Sequence, residues 1–145
     1  MKDLFTPYDP ALAMKELGFD EPCIMCYYGI SRDDKFDGLY LHTGTGKVCN
    51  THLKEEEDGI TAPLYSQAFK WFREKYNIQG YIYSSTVRGN SEKTKQFTGY
   101  IWNINGIDMP FISTDARDEL HDTYEEAELA CLIKLIEIVK DKSTS

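Results

Sequence analysis

Pro63-Leu64-Tyr65-Ser66-Gln67-Ala68-Phe69-Lys70-Trp71-Phe72-Arg73-Glu74-Lys75-Tyr76 is the stretch whose reading decides the fold. Tyr65, Phe69, Phe72 and Tyr76 recur at i, i+4, i+7 and i+11, one continuous face of a helix. Leu64, Ala68 and Trp71 widen that face, while Ser66, Gln67, Lys70, Arg73 and Glu74 occupy the other side. Pro63 opens the helix, because a missing N–H costs nothing at its first turn. Burying each of these aromatic side chains contributes roughly 1.5–3 kcal/mol. A face this broad needs a sheet to cover.

Strand patterns follow downstream. Tyr81 to Val87, Phe97 to Ile104 and Ile107 to Ser113 read as strands, the first two separated by the polar link Arg88 to Lys93. Asn105-Gly106 predicts a tight hairpin turn between the last two, since both positions tolerate positive φ. Pro110 cannot donate to a ladder, so the last strand is expected at an edge. A closing helix is predicted from Thr123, with Glu126 completing a capping box. Its Leu129, Leu132, Ile133, Leu135, Ile136, Ile138 and Val139 leave only a narrow polar stripe through Glu126, Lys134 and Glu137. A helix so apolar is flanked by neighbours or pairs with a second subunit, which makes a homodimer one expectation. Asp141 to Ser145 read as a frayed tail.

Upstream, Asp9-Pro10 predicts a helix start and Ala11 to Leu17 its body. Gly18 then supplies a left-handed stop, with Phe19 folding back on Met14. Cys23 to Tyr28 reads as a strand and Gly38 to His42 as its hairpin partner, across the loop Ser31 to Lys35. Residues 43 to 61 are the least regular stretch, and the acid run Glu55 to Asp58 reads as a solvated loop. The expected architecture is α+β: an antiparallel or mixed sheet of about five strands packed by helices, in the order α-β-β-α-β-β-β-α, as a single domain over 1–145.

The totals agree with a folded chain. Its 145 residues can bury roughly 70% of the surface an unfolded chain exposes. Ten Tyr, seven Phe and two Trp are far too much rigid apolar area for a disordered segment. The net charge of −8 disfavours approach to phosphate, so neither nucleic acid nor anionic membrane is an expected partner. The N-terminus lacks the apolar core of a secretory signal, and no apolar run approaches the ~20 residues that span a bilayer. The expected location is a reducing cytoplasm, where the four Cys are thiols or metal ligands.

Three blocks carry a resemblance: Gly18 to Cys23, Ala62 to Ile78, and Thr123 to Ala130. Together they resemble a family of small, functionally uncharacterised proteins of gut Bacteroides phages and prophages. The closing helix is also similar to that of phage domains described as α-β-α sandwiches. The resemblance covers about a third of the chain, mostly packing residues, and so implies a shared fold more than a shared activity. Residues 29 to 60 and 84 to 115 lie outside it. The family carries no assigned catalytic residues; what it implies is a phage or prophage accessory protein in a bacterial host.

Among chemical constellations the sharpest is Cys23-x-x-Cys26 with Cys49-x-x-His52, two knuckle-spaced pairs separated by 22 residues. A two-residue gap lets both side chains reach one ion, so the four residues form a candidate zinc site. Neither pair carries the following glycine of a rubredoxin-like knuckle, and an offset of three along a strand points side chains to opposite faces. Two core thiols and two incidental loop residues are the alternative. His42-Thr43-Gly44-Thr45-Gly46-Lys47 looks like part of a phosphate loop, but Leu41 replaces its first glycine and Val48 its magnesium-binding hydroxyl. Asp115, Asp118, Glu119, His121 and Asp122 could hold a cation or do acid–base work, or simply favour the positive end of the closing helix. Cys131 lies in an apolar helix, a poor place for a nucleophile.

No residue is assigned a catalytic role. The leading expectation is a non-enzymatic cytoplasmic binding protein acting on a host protein or small ligand through an aromatic, acidic surface. A zinc-stabilised module built on Cys23, Cys26, Cys49 and His52, and a hydrolase or nucleotide-handling enzyme using the acidic cluster, are the alternatives.

Overall fold

A computed structural model describes residues 2–27, 39–41, 47–53, 59–87, 97–113 and 120–143. Its class is α+β, with all strand pairing antiparallel. The expected single sheet of about five strands is corrected to two sheets of three strands each. The chain divides into two compact units, Met1–Trp71 and Phe72–Ser145.

In the first unit, α1 (Tyr8–Glu16) starts two residues before Pro10, with Pro7 at its N-cap and Asp9 in the first turn. Its end follows the expectation. Gly18 takes φ 93° and donates to Lys15 O at 2.9 Å, while Phe19 N–H reaches Met14 O at 2.9 Å. That pair of bonds is the Schellman ending, and it leaves Phe19 and Met14 both buried.

β1 (Met25–Tyr27) pairs with β2 (Leu39–Leu41) and with β3 (Ile60–Ala62), giving the order β2-β1-β3. Ile60–Ala62 falls inside the stretch expected to be irregular. Three residues carry no readable period; pairing with β1 is what makes them a strand. All three residues of β1 and of β3 are buried, so alternation could not have marked either. Phe5, Ala11, Met25, Tyr27, Ile60 and Ala62 form the core, with Tyr8, Leu12 and Leu64 packed against it. Tyr27 donates to Thr6 O at 2.7 Å and meets the Tyr8 ring edge-on at 5.6 Å.

α2 (Tyr65–Tyr76) presents the expected face: Tyr65, Ala68, Trp71 and Phe72 are buried, Phe69 and Tyr76 half-buried, and Ser66, Lys70, Arg73 and Glu74 exposed. Gln67 accepts from Leu64 N–H at 3.1 Å, closing the first turn. Asn77 follows in the left-handed region at φ 55°.

The second unit is built on β4 (Ile78–Val87) and β5 (Phe97–Gly106), joined by ten consecutive one-to-one pairs. The Asn105-Gly106 turn is overturned. Both residues belong to the ladder, opposite Gln79 and Ile78, and the chain reverses beyond them with Asp108 at φ 61°. Pairing with β4 outweighs the local turn preference. Gly106 matters for space instead: a Cβ there would lie 2.6 Å from the Met109 sulfur. β6 shrinks to Ile112–Ser113, at the sheet edge as expected.

α3 (Tyr124–Ser143) packs on β4 and β5. Thr123 caps it, its hydroxyl accepting from Glu126 N–H at 3.2 Å, and Glu126 reaches back to Asp122 N–H at 3.2 Å. It buries Ala127, Cys131, Leu132, Leu135, Ile136 and Val139, leaves Ile133 exposed, and continues to Ser143 through the tail expected to fray. Tyr100 meets Tyr124 edge-on at 5.9 Å, so α3 lies on the face of Tyr100, Trp102 and Ile104. Tyr81 and Tyr83, on the opposite face, are each 43% exposed.

Gly99 is the tightest contact of this unit. Tyr100 and His121 exchange backbone bonds of 2.8 and 2.9 Å, which brings Leu120 Cγ and His121 O to 2.5 and 2.6 Å from where a Gly99 Cβ would stand. Gly99→Ala is expected to lower stability by about 1–3 kcal/mol, read from urea unfolding. An unchanged midpoint would show that the 120–121 segment yields freely.

Candidate functional site

The end of α1 sets the site. The Schellman turn fixes Phe19 with its side chain inward, and Asp20 follows, exposed, on the outer side. Opposite it, a 3-10 helix runs over Asn50–His52. Asn50, buried, donates through Nδ2 to Phe19 O at 2.7 Å and accepts at Oδ1 from Thr61 N–H at 2.9 Å. Asp20 holds the same segment from outside: Oδ1 accepts from Thr51 N–H at 2.8 Å and Oδ2 from the Thr51 hydroxyl at 2.9 Å.

These bonds shape a groove of about 450 Å³ lined by Lys15, Gly18, Phe19, Asp20, Asn50, Thr51 and Leu53. Phe19 and Leu53 border it but are themselves buried, at 1% and 7% exposure. Lys15 stands at the rim and donates to Gly59 O at 3.0 Å. Its lining brings together an ammonium, a carboxylate, an amide and a hydroxyl around one concave surface. Sequence reasoning overlooked all these polar residues, because Lys15, Asp20, Asn50 and Thr51 form no spaced motif.

The four residues of the zinc expectation lie next to this groove but are not gathered. Cys26 is fully buried with Val48 and Leu53. Cys23, in a backbone bridge with Val48, donates its thiol to Glu21 O at 3.4 Å. Cys49 is half-buried at the N-cap of the 3-10 helix, and His52 is exposed at the helix's end. Among the described residues, no group of three or more His, Cys, Asp or Glu side chains is placed to hold a metal ion. Cys23 and Cys26 are both buried, with a bend at Ile24 between them, while the turn after Cys49 carries His52 out to solvent.

The thiols are also poor nucleophiles. Burial pushes Cys23 up to about 12, opposed by the buried Thr61 hydroxyl beside the sulfur and reinforced by Cys49, Glu21 and Cys26. Cys49 is raised by lost solvation and then by the carboxylates of Asp20 and Glu21. Burial pushes Cys131 up to about 12, with Glu128 adding to it. Thiolate is the reactive form, so these three are unreactive near neutrality.

Of the acidic cluster, Asp115, Asp118 and Glu119 lie outside the described residues, as do residues 42–46 of the phosphate-loop-like stretch. His121 is tied into its bridge with Tyr100, and Asp122 is exposed beside the α3 cap. The chain matches no family model, no curated protein and no solved structure.

Two measurements follow. Asn50→Ala would orphan Phe19 O and Thr61 N–H in the interior, a loss on the order of 3 kcal/mol by chemical unfolding; a loss within error would mean that water replaces the amide. On α3, lost solvation and then Glu125 push the Glu128 carboxyl from 4.5 up to about 7. Between those values the folded chain keeps a proton that the unfolded chain has released, so stability falls as pH rises through this window and is flat above it. Melting temperatures from about pH 5 to about pH 8 should show this decline, and Glu128→Gln should flatten it and melt higher at the alkaline end.

Proposed function

We propose that this chain is a non-enzymatic binding protein whose groove takes a small ligand with an anionic group beside an apolar or planar body. The observation that carries the reading is the placement of Lys15 at the rim of a groove lined by Gly18, Phe19, Asp20, Asn50, Thr51 and Leu53. The ammonium has three N–H donors, and Gly59 O occupies one of them. Phe19 is held in place by its own backbone bonds and by an edge-on contact with Trp71 at 5.4 Å, so the backbone under the groove is fixed before any ligand arrives.

The phage or prophage setting and the bacterial cytoplasm belong to this reading as the context in which such a protein would sequester or sense a host compound. No helix of the described chain is long and apolar enough to cross a membrane.

Benzoate and phenyl phosphate, which pair an anion with a ring, are suitable probes. Either should raise the melting temperature of the native chain in a saturable way, and Lys15→Met, checked for native circular dichroism, should abolish the shift. Acetate and inorganic phosphate should act less, lacking the ring. If neither ring-bearing anion stabilises the protein, or Lys15→Met responds as the native chain does, the groove is not the site.

A further inference from the structure

Strand β4 ends its sheet, with β5 as its one strand neighbour among the described residues. The direction of its free backbone groups can be derived. Ile107 N–H donates to Asn77 O at 3.4 Å, one step beyond the Ile78–Gly106 pair. Antiparallel pairs alternate between bonded and non-bonded, so the odd-numbered residues of β4 bond to β5. The N–H and C=O groups of Ile78, Gly80, Ile82, Ser84 and Thr86 therefore point away from it. An independent bond pair agrees: Tyr100 exchanges bonds with His121 on the far side of β5, so its β4 partner Ser84 must lie in the outward set.

Proteins guard such an edge with proline, lysine, inward charges or a bulge. β4 has none of these. Its ten residues include no proline and no charged side chain, its pairing is unbroken, and the ten residues of β5 are uncharged as well. In a chain that is 28% charged with a net −8, this ribbon is a long strip where two copies could meet without like-charge repulsion.

We infer that β4 pairs with β4 of a second copy, antiparallel about a two-fold axis at Ile82, joining two three-stranded sheets into one of six strands. The tyrosine spacing selects this partner and register. With Ile82 opposite its own copy, the outward groups of Gly80 meet those of the partner's Ser84, while Ile78, 1% exposed, stays outside the pairing. Tyr81 then faces the partner's Tyr83, and Tyr83 the partner's Tyr81, at non-bonded positions where side chains approach most closely. Both tyrosines are 43% exposed and lie on the face that α3 leaves uncovered. An i, i+2 tyrosine pair on an uncharged edge is complementary to itself, which is what a two-fold interface requires.

Sedimentation equilibrium of the full chain tests this. The native protein should show concentration-dependent mass rising towards twice 16.7 kDa. Ser84→Lys, which places a charge on the edge, should weaken the dimer by at least about tenfold. Ser84→Pro, which removes an outward N–H while sparing the β4–β5 ladder, should do the same with its circular dichroism unchanged. Amide exchange at Ile82 and Ser84 should slow as native protein concentration rises. A native chain that stays monomeric at about 0.5 mM, or a dimer that survives both substitutions, overturns the inference, whatever other strand the edge accepts.

Discussion

The first unit depends on one buried amide. Its strands are three residues each, too short to hold together by pairing alone. Asn50 joins the end of α1 to β3 by donating to Phe19 O and accepting from Thr61 N–H, and it does so in the interior, where water does not compete. Phe19 is bound twice over, by this amide and by the Schellman turn. The groove follows from that double attachment, and its polar rim is held by the Asp20–Thr51 clasp.

The second unit is organised by a different principle. Ten unbroken pairs between β4 and β5 make a ribbon whose two faces have different fates. One face, through Tyr100, Trp102 and Ile104, is covered by α3 and buries its apolar residues there. The other keeps Tyr81 and Tyr83 in solvent, with Asn103 donating to the Tyr83 hydroxyl. Tyr81 and Tyr83 stand two residues apart on a ribbon that carries no charged side chain.

The cysteines show that ligand spacing and side-chain placement are separate matters. A two-residue gap makes metal ligation sterically possible, but the tertiary structure decides whether the four side chains face one point. Here Cys26 fills a small core with Val48 and Leu53, Cys23 bonds a carbonyl, and His52 turns to solvent. Burial then raises the thiols far from their reactive range, so their chemistry is that of packing groups.

Sequence by itself determined the features whose cause is local. The α2 face, the Gly18 stop with Phe19 folded inward, the Thr123 cap and the α+β class all follow from residue spacing and backbone preference within one turn or one strand. Tertiary structure decided everything that needed a distant partner. Ile60–Ala62 became a strand because β1 lay beside it, and Asn105-Gly106 stayed extended because Ile78 and Gln79 bonded them. Residues 50 and 51 became a site because residues 19 and 20 closed on them. A short segment has too little preference of its own to resist a neighbour that offers a full set of hydrogen bonds, and no local pattern announces which neighbour that will be.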